Sequence, residues 1–278
     1  MQKTIKYAMV AFVAIITIAG CKKEINYNEQ LLAKGNGCKL TTLKADLNFL
    51  GSYTITFAYD ALGRISKATT GPETNTYTYS ASKITAVDES GYMAEIVLEN
   101  GRAVSSGSKG ITMVSGVFYD YTRKYTYNND GYLVQVKNYL NSDLSTTDNL
   151  TYSNGNLVKA VSVSGDLRFT ETTTYSYSND IAVNTYEISD PLSYHVDYFP
   201  GGYFGKQSKN VLIKSVSKTV DQDGKPFSDD VITFTSQYDA KGNASSLNFS
   251  NISTFYPSSG PSTTETYNAK YNLSYTCN

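Results

Sequence analysis

His195 is the only histidine in 278 residues, so any imidazole chemistry in this chain runs through one side chain. That excludes a zinc centre built from several histidines. A Ser-His-Asp arrangement would pair His195 with Asp197, two residues on and so on the same face of an extended strand. No Gly-x-Ser-x-Gly nucleophile elbow accompanies it, and a structural histidine is the simpler reading. Glycoside hydrolysis needs two carboxyl groups about 5 to 10 Å apart across a cleft, a spatial property that residue order does not fix. An envelope glycan hydrolase therefore stands as the alternative to a non-enzymatic role. Asp60, Asp130, Asp180 and Asp239 lie in stretches where turn chemistry explains them without catalysis. Asp221-Gln222-Asp223-Gly224 opens like a calcium loop but lacks the third oxygen ligand and the closing Glu. A hairpin tip between strands ending at Val220 and starting at Val231 accounts for it. The sequence thus presents no catalytic set, no metal ligands and no cofactor motif.

One segment could contact a ligand. Tyr194, His195, Tyr198, Phe199, Tyr203 and Phe204 crowd around Pro200-Gly201-Gly202. They read either as a mobile aromatic lip that stacks on a ligand such as a sugar ring, or as a loop whose aromatics complete the core. The chain has 25 Tyr and no Trp, which removes the commonest sugar-stacking platform.

The N-terminus bears on where such a ligand would be met. Lys3 and Lys6 precede an apolar run over 7–18, and small residues follow at Ala19 and Gly20. This is a secretory signal, and the run is shorter than the ~20 residues of a spanning helix. Ile18-Ala19-Gly20-Cys21 resembles the lipobox of bacterial lipoproteins. The resemblance implies a signal peptide over 1–20, acylation of Cys21, and a lipid-anchored tether over 21–38. It places the protein in the bacterial cell envelope, at the outer membrane, with the membrane itself as a partner. With Lys3 and Lys6 removed, 22 basic residues face 25 acidic ones, a formal charge of −3. No basic patch suits a phosphate backbone, so nucleic acid is not expected as a partner; a glycan, a lipid or a protein remains.

Cys38 and Cys277 are left over. An exported chain matures where disulfides form. Cys277 shares the apolar face of Tyr271, Leu273 and Tyr275, and Cys38 shares a face with Leu40. Both thiols point toward the core, either bonded to each other or as two buried free thiols.

The body of the chain must position these residues, and it is repetitive. Ile55-Thr56-Phe57-Ala58-Tyr59-Asp60-Ala61-Leu62-Gly63-Arg64-Ile65 returns around Tyr127, as Tyr125-Thr126-Tyr127-Asn128-Asn129-Asp130-Gly131, and around Tyr238-Asp239-Ala240-Lys241-Gly242. Shorter copies centre on Tyr79, Tyr152 and Tyr177. Alternation of Tyr or Phe with Thr or Ser has the period of a strand, and the Asp, Asn and Gly that follow supply a turn. Each unit reads as a β-hairpin. One face is apolar and the other is Thr, Ser, Lys and Asn, so the sheet must curl onto its apolar face or pack against another. A barrel in lipid would turn that face outward, and the end Tyr275-Thr276-Cys277-Asn278 lacks the terminal aromatic residue usual in outer-membrane barrels. The expected fold is all-β: one domain over 39–278, a long antiparallel meander of repeated hairpins, curled or barrel-like, not membrane-spanning.

Tyr59-Asp60 with Gly63-Arg64-Ile65, and Tyr238-Asp239 with Gly242-Asn243, resemble the YD repeat of Rhs-type and teneurin-type proteins. With the lipoprotein signal, the chain resembles Bacteroidota YD-repeat-like lipoproteins of unknown function over most of residues 40–277. That resemblance implies a long meander curling like a porin wall, without a toxin-sized shell or an appended effector domain.

Overall fold

The computed structural model describes residues 37–48, 51–91, 93–112, 118–166, 168–182, 190–196 and 202–277. Cys21, the signal and the tether up to residue 36 lie outside them.

Among the described residues, sixteen strands form one closed antiparallel barrel. The first eight are β1 (Cys38–Leu47), β2 (Gly51–Tyr59), β3 (Ile65–Thr70), β4 (Glu73–Tyr79), β5 (Lys83–Val87), β6 (Met93–Glu99), β7 (Arg102–Thr112) and β8 (Phe118–Tyr127). The rest are β9 (Leu133–Leu140), β10 (Asp143–Ser153), β11 (Asn156–Ser164), β12 (Phe169–Ile181), β13 (Asn210–Asp221), β14 (Pro226–Tyr238), β15 (Ala244–Phe255) and β16 (Thr263–Cys277). Each strand pairs with the next in sequence, and β16 pairs with β1 to close the ring. Cys38 lies opposite Cys277 in that closing pair, and the two are joined by a disulfide.

The Tyr-Asp-x-x-Gly pattern is a turn with a definite hydrogen-bond scheme. Asp60 Oδ1 accepts from the backbone N–H groups of Leu62 and Arg64, both at 2.9 Å. Asn128, Asp221 and Asp239 do the same with the residues two and four positions on. In each turn the Gly N–H donates back to the carbonyl of that Asp or Asn. Gly63 sits at φ +78°, a left-handed conformation that a side chain disfavours. In the second unit this role falls to Asn128, not Asp130. Asp221-Gln222-Asp223-Gly224 is another copy of this turn, so its first carboxylate is occupied by backbone N–H groups. That hairpin is also tighter than the sequence implied, because β14 begins at Pro226 rather than Val231. Asp180 lies within β12, which runs on to Ile181 without the expected hairpin.

The tyrosines before the turns face inward and tie one hairpin to another. The hydroxyls of Tyr59, Tyr79, Tyr127 and Tyr177 donate to the carbonyls of Leu40, Ile65, Ala103 and Leu157 at 2.6–2.7 Å. Burial pushes the Tyr59 hydroxyl up to about 12 and also raises those of Tyr79 and Tyr177. Tyr152 occupies a similar position, yet its buried hydroxyl has no partner among the described residues. Tyr59→Phe is expected to cost about 1 kcal/mol in urea unfolding. Tyr152→Phe should be neutral or slightly stabilising, because it removes an unpaired polar atom. Equal losses in the two variants would show that the carbonyl contact contributes nothing.

The barrel's polarity is inside-in. Leu43, Ile65, Ile84, Leu98, Leu133, Leu157, Leu212 and Leu247 face the interior and are buried. Thr54 and Thr56 on β2, Lys214 and Lys218 on β13, and Lys270 and Ser274 on β16 face out and are exposed. This is the period-2 alternation of the sequence, wrapped into a ring.

Candidate functional site: the plugged lumen

The connection between β12 and β13 packs into the end of the barrel that carries the turns after Tyr59, Tyr127 and Tyr152. Its described parts are 190–196, with a short 3-10 helix at Pro191–Tyr194, and 202–209. Leu192, Val196, Tyr203 and Phe204 are buried in the same cluster as the inward strand residues. The backbone is pinned around the rim. Tyr203 O accepts from Ala103 N on β7, while Lys206 N and Lys209 N donate to Gly131 O and Gly155 O in two neighbouring turns. Gly205 approaches so closely that an added Cβ would lie 2.6 Å from Gly131 O, at φ +86°. The Phe204 ring meets Tyr125 edge-on at 5.2 Å between centroids. The segment is a plug.

His195 fastens the plug to the wall from within. Its Nδ1 is 3.3 Å from Asp148 Oδ2, and its Nε2 is 3.1 Å from the Tyr175 hydroxyl. All three side chains are buried. Burial raises the pKa of Tyr175, so the phenol stays protonated. A hydrolytic histidine needs a nucleophile or water at Nε2; here a protonated phenol takes that position in a closed interior. The arrangement binds segment to barrel. The carboxylate beside His195 is therefore Asp148 on β10, whereas Asp197 lies outside the described residues. Asp148 was legible as an anomaly: an Asp at an inward position in mid-strand, where Asp is depleted.

Asp190 caps the 3-10 helix. It accepts from Leu192 N at 3.1 Å and from Gln207 Nε2 at 2.9 Å. It is fully buried, and desolvation pushes its carboxyl up to about 6 against those two hydrogen bonds. A void of about 10 Å³ adjoins it, lined by Leu192, Val196, Phe204 and Gln207.

The aromatic segment is thus divided. His195, Tyr203 and Phe204 are buried in the plug, because the apolar barrel end needs side chains to fill it. Tyr194 is exposed; Tyr198 and Phe199 lie outside the described residues. Cys38 and Cys277 stand at the same barrel end, where β1 begins and β16 finishes.

Toward the opposite rim the inward positions change character. Ser106 and Tyr125 hydroxyls are 2.5 Å apart, and Arg123 Nε and the Tyr121 hydroxyl both reach Asn138 Oδ1. Strand register places Glu171, Ser217 and Asp230 in neighbouring inward positions, and they are half-buried; Glu73 and Glu265, nearer the rim, are exposed. The plugged end of the interior is apolar, and toward the opposite rim these polar groups stand beside an aromatic cluster of Phe169, Phe227 and Phe255. Among the described residues no cluster of His, Cys, Asp and Glu could hold a metal ion.

A closed, antiparallel, sixteen-stranded barrel has the architecture of a porin-like fold. The chain belongs to the family described as a domain of unknown function (DUF4595) with porin-like fold, whose model matches residues 57–246. Among solved structures it is similar to a porin-like protein from Bacteroides uniformis ATCC 8492, with TM-score 0.58, 18% identity, and 84% of this chain and 98% of that chain covered. It is also similar to a porin-like protein from Bacteroides vulgatus ATCC 8482, with TM-score 0.54, 14% identity, and 85% and 98% covered. No curated protein matches the chain.

These findings overturn the resemblance to YD-repeat and Rhs-type proteins. The matched family is described by a porin-like fold, with no YD or Rhs repeat in that description, and a single closed ring of sixteen strands is not a YD-repeat architecture. What the two have in common is the local chemistry of an Asp-x-x-Gly turn after an aromatic strand, which any antiparallel barrel can use.

Proposed function

We propose that the protein is a lipid-anchored lipoprotein of the bacterial envelope, acylated at Cys21, whose barrel stands outside the bilayer and binds a ligand without catalysing a reaction. The outer wall carries this reading. A barrel in lipid turns an apolar band outward, whereas here Thr, Lys, Asn and Ser face out on β2, β13 and β16. Burying even a few of those lysines at the bilayer midplane would cost about 2–4 kcal/mol each. The plug argues against a conducting pore, and the inward positions toward the opposite rim, Glu171, Ser217 and Asp230 among them, are the place for a ligand. The His195–Asp148–Tyr175 contact has no free position for a reacting group, which favours binding over hydrolysis.

The anchor and the barrel are tested separately. In a host that processes lipoproteins, the wild type should incorporate radioactive palmitate and Cys21→Ser should not; labelling of the serine variant would discard the anchor. Residues 22–278 should stay in the aqueous phase in a detergent phase partition and leave a planar bilayer non-conducting. Ion conductance or detergent-phase recovery would instead place the barrel in the membrane.

A further inference from the structure

The plugged end of the barrel is also the end at which the chain enters it. β1 begins there at Cys38, and β16 finishes there at Cys277. On either side of that seam the wall runs in the order β12, β13, β14, β15, β16, β1, β2, β3. The two most exposed large apolar side chains among the described residues stand on this arc. Leu62, 72% exposed, tips the turn between β2 and β3, and Ile181, 61% exposed, ends β12. Exposed Tyr238 ends β14, between them. With strands ~4.8 Å apart, Leu62 and Tyr238 lie about 20 Å from each other across the seam.

Charge separates the two ends of the barrel. At the plugged end Lys39, Arg102, Lys206, Lys209 and Lys241 offset Glu99, Asp130, Asp180 and Asp239, while Arg64 pairs with Asp60 and Lys83 with Glu95. Counting Glu187 and Asp197 of the connection between β12 and β13 keeps that balance near neutral. In and beside the turns of the opposite rim, Asp88, Glu89, Asp143, Asp166, Asp221 and Asp223 meet only Arg168 and Lys225 among the described residues. Met93, Leu144, Phe227 and Phe255 are exposed at that rim too, but anionic headgroups repel the acids around them. The length of the tether favours the same end. Residues 22–37 reach at most about 55 Å. The wall is roughly 30–40 Å tall, so turning the acidic rim to the bilayer would use most of that reach, whereas the plugged end meets it directly.

We propose that the plugged end docks on the surface of the membrane that holds the N-terminus. Leu62, Ile181 and Tyr238 enter the boundary between headgroups and acyl chains, and the acidic rim faces away. The proposal rests on the N-terminal anchor inferred above, and its test keeps the two apart. The chain has no Trp, so an introduced Trp reports its own position. Residues 22–278 with an N-terminal histidine tag are held on vesicles of phosphatidylcholine, phosphatidylglycerol and a nickel-chelating lipid, with and without brominated acyl chains. The tag replaces the acyl anchor, so docking is read whether or not Cys21 is acylated, and palmitate labelling decides that point separately. Brominated lipid should quench Leu62→Trp and Ile181→Trp about twofold or more and leave Leu144→Trp and Met93→Trp unchanged. All four positions are exposed, so an unaltered melting temperature will show that the variants fold. No quenching of Leu62→Trp, or quenching of Leu144→Trp as strong as there, would overturn the proposal. Self-association of the untagged chain in sedimentation that Leu62→Asp abolishes would assign this face to a second copy and overturn it as well.

Discussion

Replacing Cys38 and Cys277 together by serine is expected to destabilise the barrel by about 3–5 kcal/mol. The bond joins residues 239 positions apart, across the strand pair that closes the ring. Chain-entropy scaling puts the effect of cross-linking so long a loop at about 5 kcal/mol, and losses on removing native disulfides from exported domains run from about 2 to 5. The position adds to the effect. Contacts between β1 and β16 form only when the two ends of the sheet meet, so the bond holds in place the costliest loop closure in the fold. Urea unfolding of the double variant, with and without reductant on the wild type, measures it. A midpoint within error of wild type would mean that the β1–β16 ladder alone suffices.

Asp190→Asn should do the opposite and raise stability by up to about 3 kcal/mol at pH 7.5, while changing little at pH 4. The buried carboxyl titrates near 6 in the folded barrel and near 4 in an unfolded chain. A raised acid pKa means the folded state holds its proton longer than the unfolded state. Its contribution is therefore greatest below about pH 4, declines as pH rises through 6, and is fully lost above that. The size follows from about two pKa units at 1.36 kcal/mol each. An asparagine still accepts from Leu192 N, and Gln207 can turn its amide oxygen toward the new N–H₂ group. Thermal melts from pH 4 to 8 decide it: an Asp190→Asn variant less stable than wild type at pH 7.5 would show that the ionised form is the one the plug needs. Opposing this trend, Asp60 and Asp239 are held below the usual carboxylate range. For Asp60, desolvation acts upward and is outweighed by hydrogen bonds and charge from Arg64; Asp239 is lowered by hydrogen bonds with Asn243. Their contribution disappears at the acid end instead.

Much of this was legible in residue order, for a physical reason. Strand alternation and the Asp-x-x-Gly turn are local, and each can be read within a dozen residues. The inward faces of Tyr271, Leu273, Tyr275 and Cys277 followed from period 2 alone. Closure was only partly legible: Cys38 on β1 and Cys277 on β16 offered one link between the ends of the sheet, but free thiols fitted the same positions, and no local signal tells a curled sheet from a closed one. The plug was hidden for a related reason. Tyr203, Phe204 and His195 look alike as an exposed lip or as core until the empty end of the barrel is in place to receive them. The partner of His195 was sought nearby at Asp197, while the tertiary fold supplied Asp148 from 47 residues away. The family resemblance failed because a turn motif reports on turn chemistry and is silent about how many strands enclose what.

The pairing of first strand with last has a meaning for the cell that makes this protein. A chain threaded across a membrane from its N-terminus delivers β1 first and β16 last. Until the final strand arrives, β1 and the newest strand each present an unpaired edge, the kind of surface that templates aggregation. The barrel cannot finish in stages, and its mostly non-local closure makes it a slow folder. If the protein is exported as proposed above, its passage should depend on chaperones that cover strand edges, and a chain that stops before β16 should be a product destined for proteolysis rather than a smaller working barrel.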